Sequence, residues 1–510
     1  MEFQESYSFD DLLLLPSYSN ILPKDTDTST EIVKGITIKK PFISAAMDTI
    51  TESKMAIVMA LSWAIACIHK NFKEDISHKV KEGMSKEEVI ALEQAAEKKG
   101  MEDQVKEVEK VKKHQSFIVR NPITLTPEST IADYKKSKEK FKVSTFPVIA
   151  EDWEVIWIIT NRNFQKAEEK ENNKIKDIMT PKEKLITAKK TIEMADAEKI
   201  LKKNEIEQLI IVDNNNQCIW LITEKDIENN KNNPEATIDD QGRLRVAAAV
   251  WVGTNEQYKR LISAWADILV VDSAHWNSQW VLDTVKYIRN NFKDIKIIWG
   301  NICEEDWTKN LIKAWVDAVK VGIWPWSICT TRVIAWVWNP QFSAINEARS
   351  ICKEKEIPII WDWGIKYSGD IGKAIAAWAS CVMIGNLLAW AEETPWELIE
   401  EKGRSFKVFR WMGSIGAMWK WSADRYFQED QKKDKLVPEW IEWKVVAKWS
   451  VKEIIHQLNG WLKATLWYTG KKDIPSLQDY KRIRKISATS LKENHPHSLH
   501  SFDDTSNYKK

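Results

Sequence analysis

One cysteine of the chain lies in a loop whose composition favours nucleophilic chemistry. The segment GIWPWSICTT, residues 322–331, follows an apolar run and places Cys329 among serine and threonine side chains. A thiolate is an intrinsically strong nucleophile that can be generated near neutral pH. We therefore predict that Cys329 is a catalytic nucleophile. The remaining cysteines are interpreted as small buried hydrophobes: Cys67, Cys218, Cys303, Cys352 and Cys381.

Eight short apolar runs are predicted to form the strands that position this loop. Continuous apolar runs are typical of parallel strands that are buried on both faces, and amphipathic segments separate the runs. The pattern predicts an α/β fold, a (β/α)8 TIM barrel with its active site at the C-terminal ends of the strands. The runs cover residues 42–46, 64–68, 246–250, 267–271, 295–299, 317–321, 357–361 and 380–384.

Chemically useful residues follow seven of the eight runs, where a barrel site is expected. Helix capping can explain any one of them, but it explains seven in register poorly. The residues are Met47-Asp48, His69, Asp272-Ser273, Asn301, the loop 322–331, Asp362 and Gly385-Asn386.

A long insertion between the second and third strands contains an internal repeat. Residues 121–164 resemble residues 183–227, most closely in IWIITNRNF and IWLITEKDI. Each copy is predicted to contain a strand, a helix, a hairpin and a second helix. The repeat serves either as a scaffold or as a pair of nucleotide sensors. We expect a barrel formed by residues 1–112 and 236–510, and an insertion at 113–235 with modules near 116–172 and 175–233.

Composition excludes several classes of protein. The chain has 510 residues, and 75 Lys and Arg nearly balance 74 Asp and Glu, so nucleic acid and anionic membrane are not expected as partners. No apolar run has the length of a membrane span. The N-terminus MEFQESYSFDD carries acids where a signal peptide carries lysines. Six widely spaced cysteines favour reduced thiols in a cytoplasm.

Several segments resemble the signature sequences of the inosine-5′-monophosphate (IMP) dehydrogenase family. They are GIWPWSICTT, DWGIKYSGD, FRWMGSIGAM and SADRYFQ, together with DLLLLPSYS, SAAMDTITE, IHKN, QGRLRVAAAVWVG and KENHPH. The inserted repeat resembles the tandem cystathionine-β-synthase-type (CBS) modules of that family. The resemblance implies an NAD-dependent oxidation of IMP to xanthosine-5′-monophosphate (XMP) in guanine nucleotide synthesis. It also implies a cytoplasmic homotetramer that can stack into octamers, with purine nucleotides as regulators at the CBS modules.

The resemblance assigns the catalytic roles. Cys329 matches the nucleophile that attacks C2 of the purine. A mobile flap, about residues 390–445, carries Arg425 and Tyr426, and this arginine matches the base that activates water with the help of Thr331.

The resemblance also implies three binding sets. IMP contacts match Ser327, Asp362, Gly364, Gly385, Asn386, Met412, Gly413 and Glu439. NAD contacts match Asp272, Ser273, Asn301 and Gly322. A potassium site matches Trp324, Trp326 and Cys329 of the loop with Glu493, Asn494 and His495 from the tail of a neighbouring subunit.

Two positions depart from the family pattern. Phe409 stands where many relatives have a tyrosine that donates to the phosphate. In the first repeat Asn163 replaces an aspartate that often binds an adenosine ribose, whereas Asp226 keeps it in the second. We therefore expect the two modules to bind nucleotide unequally, or only one to bind.

Tryptophan stands where the family has glycine. The chain has 28 Trp and 16 Gly, so glycine is roughly 3% of the residues against an average near 7%. We interpret the pattern as a translation error. In the native host the UGA codon encodes glycine, whereas the printed sequence was translated with UGA as tryptophan. Read literally, the chain should not fold as the family does, because a bulky residue in a glycine conformation costs about 1–3 kcal/mol. Matching positions include Trp157, Trp220, Trp324, Trp326, Trp336, Trp338, Trp363, Trp411 and Trp421.

Two other functions stay open at this point. A GMP reductase resembles the same barrel and shares the cysteine loop, but generally lacks the insertion and the Arg425-Tyr426 flap. A non-catalytic nucleotide-binding regulator would keep the repeat, and it is favoured if the tryptophans are real.

Overall fold

The chain folds into two compact units, residues 1–112 with 245–510 and residues 113–244. The computed structural model describes residues 4–72, 76, 79, 84–114, 119–120, 122–141, 143, 145–150, 154–160, 173–178, 185–234, 236–253, 255–272, 279–323, 337–395, 398–401, 404–409, 443–446 and 449–495.

The larger unit contains a closed barrel of eight parallel strands in sequence order. Each strand pairs with its neighbours in parallel register, and the last pairs with the first. All eight apolar runs form these strands, so the TIM barrel prediction is confirmed. The strands are β1 (Phe42–Ser44), β2 (Ile65–Ile68), β3 (Ala247–Val250), β4 (Ile268–Asp272), β5 (Lys296–Ile302), β6 (Ala318–Val321), β7 (Ile359–Asp362) and β8 (Cys381–Ile384).

A helix follows each barrel strand in the chain. Several of these helices are amphipathic, so that one face packs against the barrel while the other meets solvent. The helices are α1 (Ser53–Leu61), α2 (Lys86–Lys113), α3 (Asn255–Ser263), α4 (Gln279–Asn291), α5 (Glu305–Lys313), α6 (Gln341–Lys355), α7 (Ser368–Ala376) and α8 (Val451–Thr469).

Shorter elements complete the larger unit. Leu12–Leu14 pairs with Ile483–Lys485, and Thr30–Val33 pairs with Ile36–Ile38. A three-stranded antiparallel sheet is formed by Leu398–Glu401, Arg404–Phe409 and Trp443–Val446, in which Phe409 pairs with Trp443. This sheet lies within the predicted flap. Short helices are Phe9–Asp11, Pro23–Asp25, Asn386–Leu388, Ile474–Gln478 and Ala488–Glu493.

The smaller unit contains the predicted repeat. The second copy has strand Thr187–Lys189, helix Met194–Lys203, hairpin strands Gln208–Val212 and Cys218–Thr223, and helix Glu224–Asn232, as predicted. The described part of the first copy has helix Ile131–Phe141 and hairpin strands Phe146–Ile149 and Val155–Ile159. The strand Val119–Arg120 pairs with Cys218–Thr223 of the second copy.

The two copies share an apolar core. Ile149 and Val155 of the first hairpin pack with Ile210, Val212 and Leu221 of the second. Neither hairpin alone buries both of its faces, so packing of one copy on the other stabilises both. Among the described helices of either unit, none is long and apolar enough to cross a membrane.

Candidate active site

A buried cluster of three side chains joins neighbouring strands at the C-terminal end of the barrel. We name it the Lys320 cluster, and it consists of Asn301 on β5, Lys320 on β6 and Asp362 on β7. Lys320 Nζ lies 2.5 Å from Asp362 Oδ2 and also donates to Asn301 Oδ1. Asn301 Nδ2 donates to the same carboxylate oxygen at 2.9 Å. The prediction that Asn301 and Asp362 lie at one end of the barrel is thus confirmed.

Burial and charge act against each other on Asp362. The side chain of Asp362 is fully buried, and that of Lys320 is nearly so. Burial raises the pKa of Asp362, whereas the nearby Lys320 ammonium lowers it most among the opposing groups. Sequence reasoning did not single out Lys320. The one sequence signal is that Lys320 is the only charged residue inside the apolar β6, and this signal does not reveal its partners.

The backbone at Gly322 tolerates no side chain. Its φ is +144°, and a Cβ there would lie 2.1 Å from the carbonyl oxygen of Asp362. Asn301 Nδ2 donates to the Gly322 carbonyl at 2.6 Å. Gln341, at the start of α6, donates Nε2 to the Val321 carbonyl at 3.0 Å. Sequence reasoning missed Gln341, since a glutamine after a proline is also an ordinary helix start.

Asp272 ends β4 at the same end of the barrel and is buried. Its carbonyl oxygen accepts a hydrogen bond from Lys70 Nζ at 2.5 Å. The same ammonium lies 3.6 Å from the ring centroid of Trp251. Lys70 lies two residues after the end of β2, so a second buried cation supports the side on which NAD contacts are predicted.

Trp363 occupies space beside the predicted phosphate contacts. A Cβ on Gly385 would lie 2.4 Å from the Trp363 ring. Gly364 has φ +80°, and Trp363 itself has φ +76°. Asn386 begins the short helix after β8. The backbone amides of this turn can serve a phosphate, and a glycine at 363 would leave the space that the indole now fills.

Many of the predicted site residues lie outside the described residues. For these the catalytic, IMP, NAD and potassium roles stay predictions. They are Ser273, Trp324, Trp326, Ser327, Cys329, Thr331, Met412, Gly413, Arg425, Tyr426 and Glu439.

The five other cysteines fit the role of buried hydrophobes. Four are buried and Cys218 is half-buried. Burial raises the pKa of Cys218, Cys303 and Cys352 to about 12, and it raises the pKa of Cys67 and Cys381 further. Since the thiolate is the nucleophilic form, none of these five is suited to covalent catalysis.

The C-terminal tail reaches the active-site end of its own barrel. The ring centroids of His495 and Tyr367 are 5.6 Å apart, and Tyr367 caps the N-terminus of α7. Glu493 and Asn494 are exposed. Within the described residues no group of three His, Cys, Asp or Glu side chains could hold a metal ion.

Asp226 of the second repeat has a structural role. It forms a capping box with Thr223, in which Asp226 Oδ2 accepts from the Thr223 amide at 2.9 Å and the Asp226 amide donates to Thr223 Oγ1 at 3.0 Å. Such a cap stabilises a helix by about 1 kcal/mol. One carboxylate oxygen is thus engaged in the helix terminus.

Tryptophans occupy backbone conformations that favour glycine. Of eight described non-glycine residues with positive φ, five are tryptophan. Four of these follow the C-cap residue of a barrel helix, the position at which a left-handed glycine commonly ends a helix. They are Trp63 after α1, Trp265 after α3, Trp315 after α5 and Trp378 after α7.

Comparison with known proteins gives a nearly full-length match. The family model for the IMP dehydrogenase / GMP reductase domain matches residues 6–497. The chain is 42% identical to the inosine-5′-monophosphate dehydrogenase of Aquifex aeolicus over 99% of this chain and 98% of the relative. The enzymes of the same name from Rhizobium tropici and Staphylococcus aureus are 42% and 40% identical, over 97% and 99% of this chain and 94% and 98% of the relatives.

Solved structures with the same fold include two of GMP reductase from Trypanosoma brucei. One, a cysteine-to-alanine variant in complex with guanosine 5′-monophosphate, has a TM-score of 0.70 and 29% identity and covers 98% of each chain. The other has a TM-score of 0.63 and 28% identity and covers 96% of this chain and 99% of that one. Such coverage includes the insertion, so the expectation that an insertion separates the two activities is wrong for these GMP reductases.

Proposed function

We propose that this chain, which belongs to the IMP dehydrogenase / GMP reductase family, oxidises IMP to XMP with NAD⁺. The observation that carries the proposal is the 40–42% identity to curated IMP dehydrogenases over nearly the whole chain. Identity to the solved GMP reductases is lower, at 28–29%. The chain is thus an NAD-dependent oxidoreductase of guanine nucleotide synthesis.

Cys329 is the nucleophile of this proposal. Its thiolate adds to C2 of the purine, and the electron pair of the C2–H bond leaves as hydride to the nicotinamide ring of NAD⁺. Water then adds to C2 of the thioimidate, the C–S bond breaks, and XMP leaves while the thiol is restored. Exclusion of the five other cysteines supports Cys329, because their raised pKa values keep them protonated.

Arg425 is the proposed base for the water, with Thr331 and Tyr426 as its partners. A free guanidinium is a poor base because its pKa is so high. The proposal for Arg425 therefore depends on the family match of SADRYFQ. Met412, Gly413 and Glu439 are proposed to contact the hypoxanthine ring.

Asp362 is the proposed ribose contact. Its Oδ2 accepts from both Lys320 and Asn301, whereas no described residue donates to Oδ1. A buried acceptor without a partner is costly, and a ribose hydroxyl can supply the missing donor. Ser327, Gly364, Gly385 and Asn386 are the proposed phosphate contacts.

The NAD side comprises Asp272, Ser273, Asn301 and Gly322. Both amide hydrogens of Asn301 are engaged, one with Gly322 and one with Asp362. Its contribution to NAD binding is therefore proposed to pass through a lone pair of Oδ1 or through apolar contact.

A potassium ion is proposed for the loop that carries Cys329. Backbone carbonyls at Trp324, Trp326 and Cys329 would hold it together with Glu493, Asn494 and His495 of a neighbouring subunit. Exposure of Glu493 and Asn494 supports a contact with another copy. The ion would order the loop around the nucleophile.

Assembly and regulation are proposed from the family resemblance. The chain is expected to be a cytoplasmic homotetramer that stacks into octamers through its CBS modules, with purine nucleotides as regulators. The domain limits 1–112, 113–235 and 236–510 remain our proposal for the barrel and modules, the latter near 116–172 and 175–233. No membrane or nucleic-acid partner is proposed.

The decisive experiment separates the two activities of the family. Purified protein is mixed with IMP and NAD⁺, and absorbance at the NADH band is followed; in parallel it receives GMP and NADPH. We expect NADH formation with IMP and none without it. Consumption of NADPH that depends on GMP, with no NADH formation, would instead identify a GMP reductase. Nucleotide binding without either reaction would indicate a non-catalytic regulator.

A further inference from the structure

Lys320 is a buried charged residue to which the proposed reaction assigns no role. Its side chain is 5% exposed and lies within a strand of the barrel. It contacts two residues of different binding sets, Asp362 for the ribose and Asn301 for NAD. A lysine in such a place must be held by strong partners, because a buried charge without them is costly.

The Lys320 cluster leaves one acceptor open. Asp362 Oδ2 receives Lys320 Nζ at 2.5 Å and Asn301 Nδ2 at 2.9 Å. Among the described residues, no donor lies within hydrogen-bond distance of Asp362 Oδ1, although this atom is buried. Buried polar atoms normally have a partner. The open oxygen therefore indicates a ligand that brings a hydrogen-bond donor.

Another buried lysine, Lys112, shows what a purely structural pair looks like in this barrel. Lys112 Nζ lies 2.6 Å from Asp267 Oδ2, with Lys112 fully buried. Asp267 Oδ1 accepts from Arg245 at 3.2 Å, and its Oδ2 also accepts from the Val246 amide at 2.8 Å. Both oxygens of Asp267 are thus used by the protein. Asp362 differs because the described residues use only one of its oxygens.

Lys320 also fixes the orientation of the Asn301 amide. The Asn301 oxygen accepts from Lys320, and its nitrogen donates to Asp362 and to the Gly322 carbonyl at 2.6 Å. A flipped amide would place its NH₂ against the ammonium and its oxygen against two acceptors. The Lys320 ammonium therefore fixes the orientation of both the Asp362 carboxylate and the Asn301 amide.

We propose that Lys320 is a positioning residue that holds Asp362 and Asn301 in the geometry in which Asp362 Oδ1 accepts a ribose hydroxyl of the nucleotide. The inference rests on the proposed function of this site. Lys320 itself acts through its two neighbours. Burial opposes ionisation of Asp362 and Lys320 favours it, which agrees with this role.

The test compares Lys320→Met with Lys112→Met in the full-length enzyme. For each we would measure kcat, the KM of IMP and of NAD⁺, the free energy of unfolding, and the thermal shift caused by IMP alone. In Lys320→Met we expect the KM of IMP to rise about tenfold or more, which corresponds to about 1.4 kcal/mol. The IMP thermal shift should shrink accordingly. Lys112→Met should lose stability but keep both KM values.

Rescue and coupling make the test specific. Lys320→Arg, which keeps the charge, should recover part of the affinity for IMP. In a cycle with Asp362→Asn, the effects of the two single changes should be strongly non-additive, because both act through one contact. If Lys320→Met does not fold, Lys320→Gln takes its place, since glutamine offers an N–H donor without the charge.

Two outcomes would overturn the proposal. One is a Lys320 variant with unchanged KM for IMP and unchanged IMP thermal shift, with stability lowered as in Lys112→Met. The other is additivity with Asp362→Asn. Failure of the proposed function is distinguishable, because wild-type protein would then form no NADH from IMP at all.

Discussion

Replacement of Trp315 by glycine should stabilise the protein. Trp315 follows the C-cap of α5 with φ +62°, and its side chain is 63% exposed. Little apolar burial is therefore lost with the indole. The backbone contacts persist, since the amide donates to the Ile312 carbonyl at 3.0 Å and the carbonyl accepts from Arg289 at 2.9 Å.

The magnitude follows from backbone strain. A left-handed conformation costs a non-glycine residue about 1–2 kcal/mol. Glycine offsets about 0.5–1 kcal/mol of this gain, because it increases the conformational freedom of the unfolded chain. We therefore expect Trp315→Gly to raise the free energy of unfolding by about 0.5–1 kcal/mol.

Trp280 provides a matched control for the same chemical change. It lies in the first turn of α4 and is 80% exposed. Because glycine is a poorer helix former than tryptophan, Trp280→Gly should lower the free energy of unfolding by about 0.5 kcal/mol. Urea denaturation of the two variants and the parent measures both values. If Trp315→Gly is destabilising to the same extent as Trp280→Gly, the argument from the left-handed positions is wrong.

The remaining predictions concern the site and the identity of the tryptophans. In protein from its native host, the peptide that contains Cys329 should have the mass expected for glycine at its tryptophan positions; a mass with tryptophan would refute the UGA interpretation. Cys329→Ala should abolish NADH formation, whereas Cys303→Ala should retain it, as measured by absorbance with IMP and NAD⁺. Gly322→Ala should cost about 3 kcal/mol or more of stability, because its Cβ would meet a backbone oxygen at 2.1 Å. Gly369→Ala should be tolerated in the same denaturation assay, because the added Cβ would meet no described atom within 4 Å beyond its own helix and chain neighbours.

The barrel was predictable because its strands are buried on both faces. Continuous apolar runs predicted each strand. The polar residues that follow neighbouring runs lie close together, because the C-terminal ends of parallel strands meet at the same end of the barrel. Asn301 and Asp362 were predicted in this way. The strand Val119–Arg120 was not predicted, because two residues carry no periodicity and their pairing depends on the other copy of the repeat.

Lys320 and Gln341 could not be recognised from spacing alone. A lysine inside an apolar run is as compatible with an edge position as with a buried ion pair. Only the packing of three strands shows that its ammonium meets Asp362 and Asn301. Gln341 likewise gains its role from the carbonyls that α6 brings near it.

The salt bridges of Asp267 join the two positions of the larger unit between which the smaller unit is inserted. Lys112 ends the first barrel segment, Arg245 begins the second, and both contact the one carboxylate of Asp267. These contacts within the barrel unit hold Lys112 and Arg245, the residues that flank the insertion, close to each other. A gene that lost or exchanged residues 113–244 would still encode a barrel whose severed ends are held side by side. We therefore expect the barrel unit to fold without the repeat.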